Sequence, residues 1–149
     1  MRFERDEQAG ITLLVNSIAQ AVFILMAIVL YIKVMRENPP RRLMAVVLIV
    51  CAIYMLIRML RLIHLRNLWK NAYFEMDNDR AKGFAADGRL LHGAAFDIPA
   101  GSVKKAELTT VSMTRKTPLN ALKLTTDERV YYIVGLIVDE ATRRVFQIN

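Results

Sequence analysis

Residues 11–32 read ITLLVNSIAQAVFILMAIVLYI, 22 positions without a charged side chain. Wound as an α-helix at 1.5 Å per residue, the stretch is ~33 Å long. The hydrocarbon core of a bilayer is about 30 Å thick, so the run is long enough to cross it. A secretory signal peptide is the rival reading, and Ala19-Gln20-Ala21 has the look of a cleavage site. Against it, the flank Arg2–Glu7 is mixed in charge and the apolar run continues well past Ala21. A signal peptide has a shorter core that stops at its cleavage site. The stretch is therefore read as a transmembrane helix.

Working outward, Lys33 to Arg42 is a short connector in which Pro39-Pro40 ends the first helix. A second run, Leu43 to Ile57, is uncharged for 15 residues. It continues through Met59, Leu60, Leu62, Ile63, Leu65 and Leu68, interrupted by Arg58, Arg61 and Arg66. Fifteen uncharged residues are short for a span, and a buried or re-entrant helix is the rival reading. Arginines near a helix end can snorkel to the headgroups, however, so this helix is also read as crossing. Trp69 and Tyr73 follow where an aromatic belt belongs. The chain thus divides into an anchor, residues 1–70, with transmembrane helices at about 11–33 and 42–66, and a soluble domain, residues 71–149.

The charge is distributed accordingly. Residues 1–70 carry ten Lys/Arg against four Asp/Glu, and residues 71–149 carry eleven against ten. The basic excess flanks the apolar runs, as in membrane proteins, and not the tail. A nearly neutral tail argues against nucleic acid as a partner. Two spans put both termini on one side. The terminal flanks hold six basic residues and the connector four, so the positive-inside rule assigns the termini to the cytoplasm. The single cysteine, Cys51, lies in the second run, so no intramolecular disulfide forms, which also favours a cytoplasmic domain.

Within the first span, Asn16, Ser17 and Gln20 cluster on one helix face, and Ser17 with Ala21 forms a small-xxx-small pair. Asn16, Ser17 and Gln20 are expected to hydrogen-bond the second helix near Tyr54 or Arg58, with Ser17 and Ala21 allowing close approach. The alternative is that the patch binds a partner helix or a polar substrate. Arg58 and Arg61 have no acidic residue in either span to pair with, so snorkelling or contact with anionic headgroups is expected of them.

From about Asn71 the pattern changes. Turn residues recur at Asp77-Asn78-Asp79, Asp87-Gly88, Pro99-Ala100-Gly101, Thr117-Pro118 and Asp127-Glu128. Between them the sequence predicts antiparallel strands at Ala72–Met76, Arg80–Ala85, Arg89–Asp97, Val103–Met113, Ala121–Thr125 and Val130–Leu136. A change of apolar parity from Ala106 and Leu108 to Val111 and Met113 predicts a bulge near Thr109-Thr110. Val130–Val134 is apolar on both faces, which predicts a strand that is either central or covered by a partner. Asp139 is placed to cap a C-terminal helix bearing Ala141, Val145 and Ile148 on one stripe. The fold class expected is a two-helix membrane hairpin followed by a small, mainly-β sheet or barrel closed by a helix.

Phe96-Asp97-Ile98-Pro99 followed by Val103-Lys104-Lys105-Ala106-Glu107, and Leu122-Lys123-Leu124 leading to Tyr131-Tyr132-Ile133 ahead of the helix, give this half of the chain a likeness to a known family. It resembles the bacterial pleckstrin-homology-like domains that follow a pair of transmembrane helices in small membrane proteins. The resemblance implies a scaffolding or membrane-associated role more than chemistry.

The residues themselves give the same answer. His64 and His92 have no Cys, His or carboxylate at metal-ligand spacing, and the chain has neither a Gly-rich phosphate loop nor a serine elbow. Asp77, Asp79 and Asp87 fit Asx turns and do not complete a calcium loop. No catalytic residue, cofactor or metal is expected. Lys104, Lys105, Arg115 and Lys116 are candidates, with Arg58 and Arg61, for lipid headgroup contact. The expected function is a non-enzymatic accessory or assembly subunit whose β domain docks on a partner protein. The alternatives are an anionic-lipid-binding module and a component of an oligomeric transporter or channel, and the expected partners are the bilayer and other membrane subunits or further copies of the chain.

Overall fold

A computed structural model of the protein describes residues 2–3, 5–37, 39–112 and 118–137. Met113, Arg115, Lys116 and the C-terminal helix expected from Asp139 lie outside the described residues. The elements in chain order are β1 (Arg2–Phe3), α1 (Glu7–Arg36), α2 (Arg42–Asn71), β2 (Tyr73–Met76), β3 (Arg80–Ala86), β4 (Gly93–Pro99), a short 3-10 turn (Ala100–Ser102), β5 (Lys105–Ser112), β6 (Pro118–Thr125) and β7 (Val130–Val134). They form two compact units: residues Thr12–His64, and residues Met1–Ile11 with Leu65–Asn149.

The helical unit follows from composition. Each helix is 30 residues long and carries an apolar stretch long enough to cross a membrane. Only 11% of the most apolar window of α1 and 6% of that of α2 is buried, unlike the core helices of a soluble protein. The sheltered positions recur every three to four residues: Leu13, Ser17, Gln20, Ile24, Ala27, Tyr31 and Val34 on α1, and Ala45, Leu48, Ala52, Met55, Met59 and Leu62 on α2. That is one stripe per helix, with apolar side chains outward elsewhere. Basic Lys33 and Arg36 in the last turn of α1 suit the negative end of its dipole. α2 runs to Asn71, about one and a half turns beyond the expected 66. Leu65, Leu68 and Trp69 supply it with a sheltered side in the second unit, which the apolar count of the span alone does not register.

The second unit is a curled antiparallel sheet in the order β1-β2-β3-β7-β6-β5, with β4 on the other side of β3. β2 leaves the end of α2, turns at Asp77–Asp79, and β3 returns beside it, pairing Tyr73 with Phe84 and Met76 with Ala81. β7 lies between β3 and β6, so the doubly apolar strand is central, and Ile133 and Val134 are buried. It ends at Val134 and not at Leu136, because Gly135 turns the chain at a φ of 77°. The core is Phe74, Ala81, Ala85, Phe96, Leu122, Leu124, Ile133 and Leu136. Burying a Phe or Leu side chain of this kind contributes about 1.5–3 kcal/mol.

Two further expectations are corrected, and one element is new. The third strand begins at Gly93 instead of Arg89, because the Asp87 carboxylate accepts the Leu91 N–H at 2.8 Å and widens the turn to His92. β5 and β6 pair one to one from Lys105↔Thr125 to Ser112↔Pro118, without a bulge at Thr109-Thr110. The parity change reflects shelter on both faces, since residues 106–109 are all half-buried. Finally, the N-terminus carries a strand that hydrophobic patterning did not indicate: β1 pairs with β2, Arg2 opposite Glu75 and Phe3 opposite Phe74.

Candidate functional site

The sheet domain contains an open cleft of about 590 Å³. It runs from the β3–β4 turn along β4 to the start of β7, and its volume falls within the range of small-ligand and peptide pockets. Small side chains create it: Ala85, Ala86 and Gly88 on one side of the turn, Ala94 and Ala95 on the other. The floor is Phe96, whose ring stacks on Tyr131 at a centroid distance of 4.9 Å. Asp87, His92, Asp97 and Arg129 supply its polar rim.

The rim has defined electrostatics. Asp87 sits below its ordinary value of 3.8, chiefly because its carboxylate accepts the Leu91 amide and, less strongly, those of His92 and Arg89. Asp97 accepts Arg80 Nε at 2.8 Å and lies 3.8 Å from Lys82 Nζ. All three side chains are exposed, so these pairs add little stability.

β4 forms one wall of the cleft and one margin of the sheet. Among the described residues it pairs with β3 alone. Gly93, Ala94 and Ala95 are exposed and uncharged. Farther along the strand, Asp97 is exposed and pairs with Arg80. The opposite margin is β5. It carries Lys105 and Glu107, and charge is a common device against unwanted strand pairing.

The residues singled out from sequence fall in several places. Asn16, Ser17, Gln20 and Ala21 all lie on the sheltered side of α1. Ser17 donates to the Leu13 carbonyl of its own helix at 2.7 Å, and Gln20 Oε1 is buried without a hydrogen-bond partner. Tyr54, one of the two residues near which that bond was expected, is 58% exposed, and the Arg58 guanidinium lies 5.8 Å from its ring centroid. Arg61 is exposed. Lys104 pairs with Asp127 and Lys105 with Glu107, whose second oxygen lies 3.5 Å from Lys123. The hydrogen bond from Lys105 is the main cause of the lowered pKa of Glu107.

Trp69 is half-buried and Tyr73 is 40% exposed. The Trp69 indole N–H donates to the Asp6 carbonyl at 2.9 Å, and the Arg5 guanidinium lies 5.7 Å from its ring centroid. Asp6 also donates its amide to Gly135 at 2.8 Å, and its carboxylate caps α1 by accepting Gln8 N–H at 3.0 Å. The segment before α1 is therefore built into the sheet domain through Trp69.

Sequence reasoning missed the cleft, although the alanine pairs flanking Asp87-Gly88 are its signature. Among the described residues no group of His, Cys, Asp and Glu is arranged to hold a metal ion. Comparison with protein-family models, with curated proteins and with solved structures returned no match.

Proposed function

We propose that the chain is a non-enzymatic membrane accessory or assembly subunit: α1 and α2 span the bilayer, and the sheet domain docks an extended segment of a partner protein against β4. The observation that carries this reading is the margin strand itself. Its far side has no strand partner among the described residues, its first three residues, Gly93 to Ala95, are exposed, small and uncharged, and it borders an aromatic-floored cleft. Strand addition takes affinity from main-chain hydrogen bonds and selectivity from pockets for alternate side chains, and this wall offers both.

Membrane anchorage is supported by the length, apolarity and small buried share of the two helices. The pairing of β1 with β2 supports a shared side for the N-terminal arm and the sheet domain, as two spans require. The basic flanks favour the cytoplasmic face of a bacterial inner membrane. We read the curled sheet as a pleckstrin-homology-like domain on the motifs quoted above. The lipid-headgroup reading that relied on Lys104 and Lys105 is weaker, because each already faces an acid.

The test is purification of the full chain from its own membranes in mild detergent, beside Ala95→Arg, which places a charge on the exposed margin. A protein retained by the parent and lost from the variant, with unchanged circular dichroism, supports the proposal. Recovery of the chain alone in every detergent, or equal retention by the variant, overturns it.

A further inference from the structure

Outside the helices, the large apolar side chains exposed among the described residues are Tyr73 at 40%, Leu91 at 56% and Ile137 at 44%. They are far apart in sequence, yet each lies within two residues of a position on or against the last turn of α2. Tyr73 follows that helix by two residues. Leu91 belongs to the β3–β4 turn, and at the foot of that turn a Cβ on Gly93 would come within 2.7 Å of Leu68 Cδ2. Ile137 comes two residues after Gly135, where a Cβ would come within 2.3 Å of the Trp69 ring.

The strand directions explain the gathering. β2 runs away from the end of α2 and β3 runs back, with Phe84 level with Tyr73. β3 then continues for two more residues, ~7 Å at the usual strand rise, which carries the turn past that level toward the helix. Nothing in the turn folds Leu91 inward. The Leu91 amide is held by the Asp87 carboxylate, and Leu90 adopts a left-handed φ of 58°, a conformation costly for a branched residue. An exposed leucine held out by a fixed and strained turn suits an apolar surface outside the protein. Exposed Arg89 in the same turn adds a charge suited to the headgroup layer.

We propose that Tyr73, Leu91 and Ile137 form a collar that seats the sheet domain on the bilayer, with the β3–β4 turn dipping among the lipid headgroups. The inference rests on the reading that α1 and α2 span the membrane. Its partner is the lipid surface itself, to which α2 leads directly.

The test uses the full chain with Cys51→Ala, reconstituted in nanodiscs, and one added cysteine at a time carrying an environment-sensitive fluorophore. The sites are Leu91→Cys at the collar, Asn78→Cys in the opposite turn and Val22→Cys in α1. Nitroxide-bearing lipids quench labels in contact with lipid. The proposal expects quenching at position 91 several-fold greater than at position 78, and strong quenching at position 22. Quenching at 22 with equal, weak quenching at 91 and 78 overturns the collar and leaves the anchor standing. A label at 91 shielded from both lipid and aqueous quenchers overturns it in favour of a protein contact. No quenching at 22 overturns collar and anchor together.

Discussion

The indole N–H of Trp69, near the end of α2, donates to the main-chain carbonyl of Asp6, just ahead of α1, at 2.9 Å across 63 positions of sequence. The bond joins the start of the first helix to the end of the second. The same ring packs beside Gly10 and Gly135, so the arm, the helix end and the end of β7 meet on one side chain. Trp69→Phe keeps most of the ring and removes the donor. It is expected to cost about 1 kcal/mol, the net value of one hydrogen bond. Trp69→Ala also empties the site and is expected to cost more, in the range of about 3 kcal/mol for aromatic truncation. Urea unfolding of the full chain in detergent, followed by circular dichroism, checks both. Equal stability of the two variants and the parent would show that the junction does not hold the domain.

Gly135 is required for two independent reasons. Its φ is 77°, and an added Cβ would approach Trp69 Cδ1 to 2.3 Å. The left-handed conformation alone costs an L-residue roughly 1–2 kcal/mol. Gly88 provides the control, since a Cβ there would meet nothing within 4 Å. Gly135→Ala is expected to destabilise clearly, while Gly88→Ala stays within about 0.5 kcal/mol of the parent, the usual range at such surface sites. The same urea series measures the difference.

Gln20 carries a buried amide oxygen with no hydrogen-bond partner. Leaving such a group unsatisfied costs about 1–3 kcal/mol. Gln20→Leu, of similar size, removes that cost and is expected to raise the midpoint of thermal unfolding in detergent. A lowered midpoint would mean that the side chain serves a contact made only in a larger assembly, as the transporter reading requires.

The turn that presents Leu91 depends on protonation. The Asp87 carboxylate sits below 3.8 because it accepts the Leu91 amide first and the His92 and Arg89 amides after it. A group with a depressed folded pKa stabilises its fold above the ordinary value, and that contribution is lost as pH falls through the folded value. The turn is therefore expected to hold unchanged down to about pH 4, near the ordinary aspartate value, and to loosen only in stronger acid. The chemical shift of the Leu91 amide, followed by NMR against pH, is expected to titrate with a midpoint below 3.8. Asp87→Asn is expected to abolish that titration.

How much of this was written in the sequence depends on the range of the signal. The two long apolar helices were legible because an uncharged run such as the 22 residues of 11–32 carries its meaning locally. Val130–Val134 was legible as central or partner-covered because a strand apolar on both faces needs cover on both, and the sheet order makes it central. β1 was not, since two residues have no period, and only their register with Phe74 and Glu75 makes a strand of them. The start of β4 was misplaced because one side-chain bond from Asp87 shaped a longer turn than Asp-Gly alone implies. Trp69 read as an interfacial aromatic, but its hydrogen-bond partner lies at Asp6, beyond the reach of any local pattern. The cleft was hidden for a related reason: alanine is ordinary in one strand, and becomes an opening only where two alanine-rich strand ends face a third strand.

The reading of α1 and α2 as membrane spans carries the rest of the account, and alkaline carbonate extraction of membranes from cells producing the full chain tests it most directly. High pH strips proteins held at the surface by charge or by a partner, and leaves spanning helices in place. The account predicts that the chain stays with the lipid pellet after high-speed centrifugation and is released only by detergent. Recovery of the chain in the alkaline supernatant would contradict it.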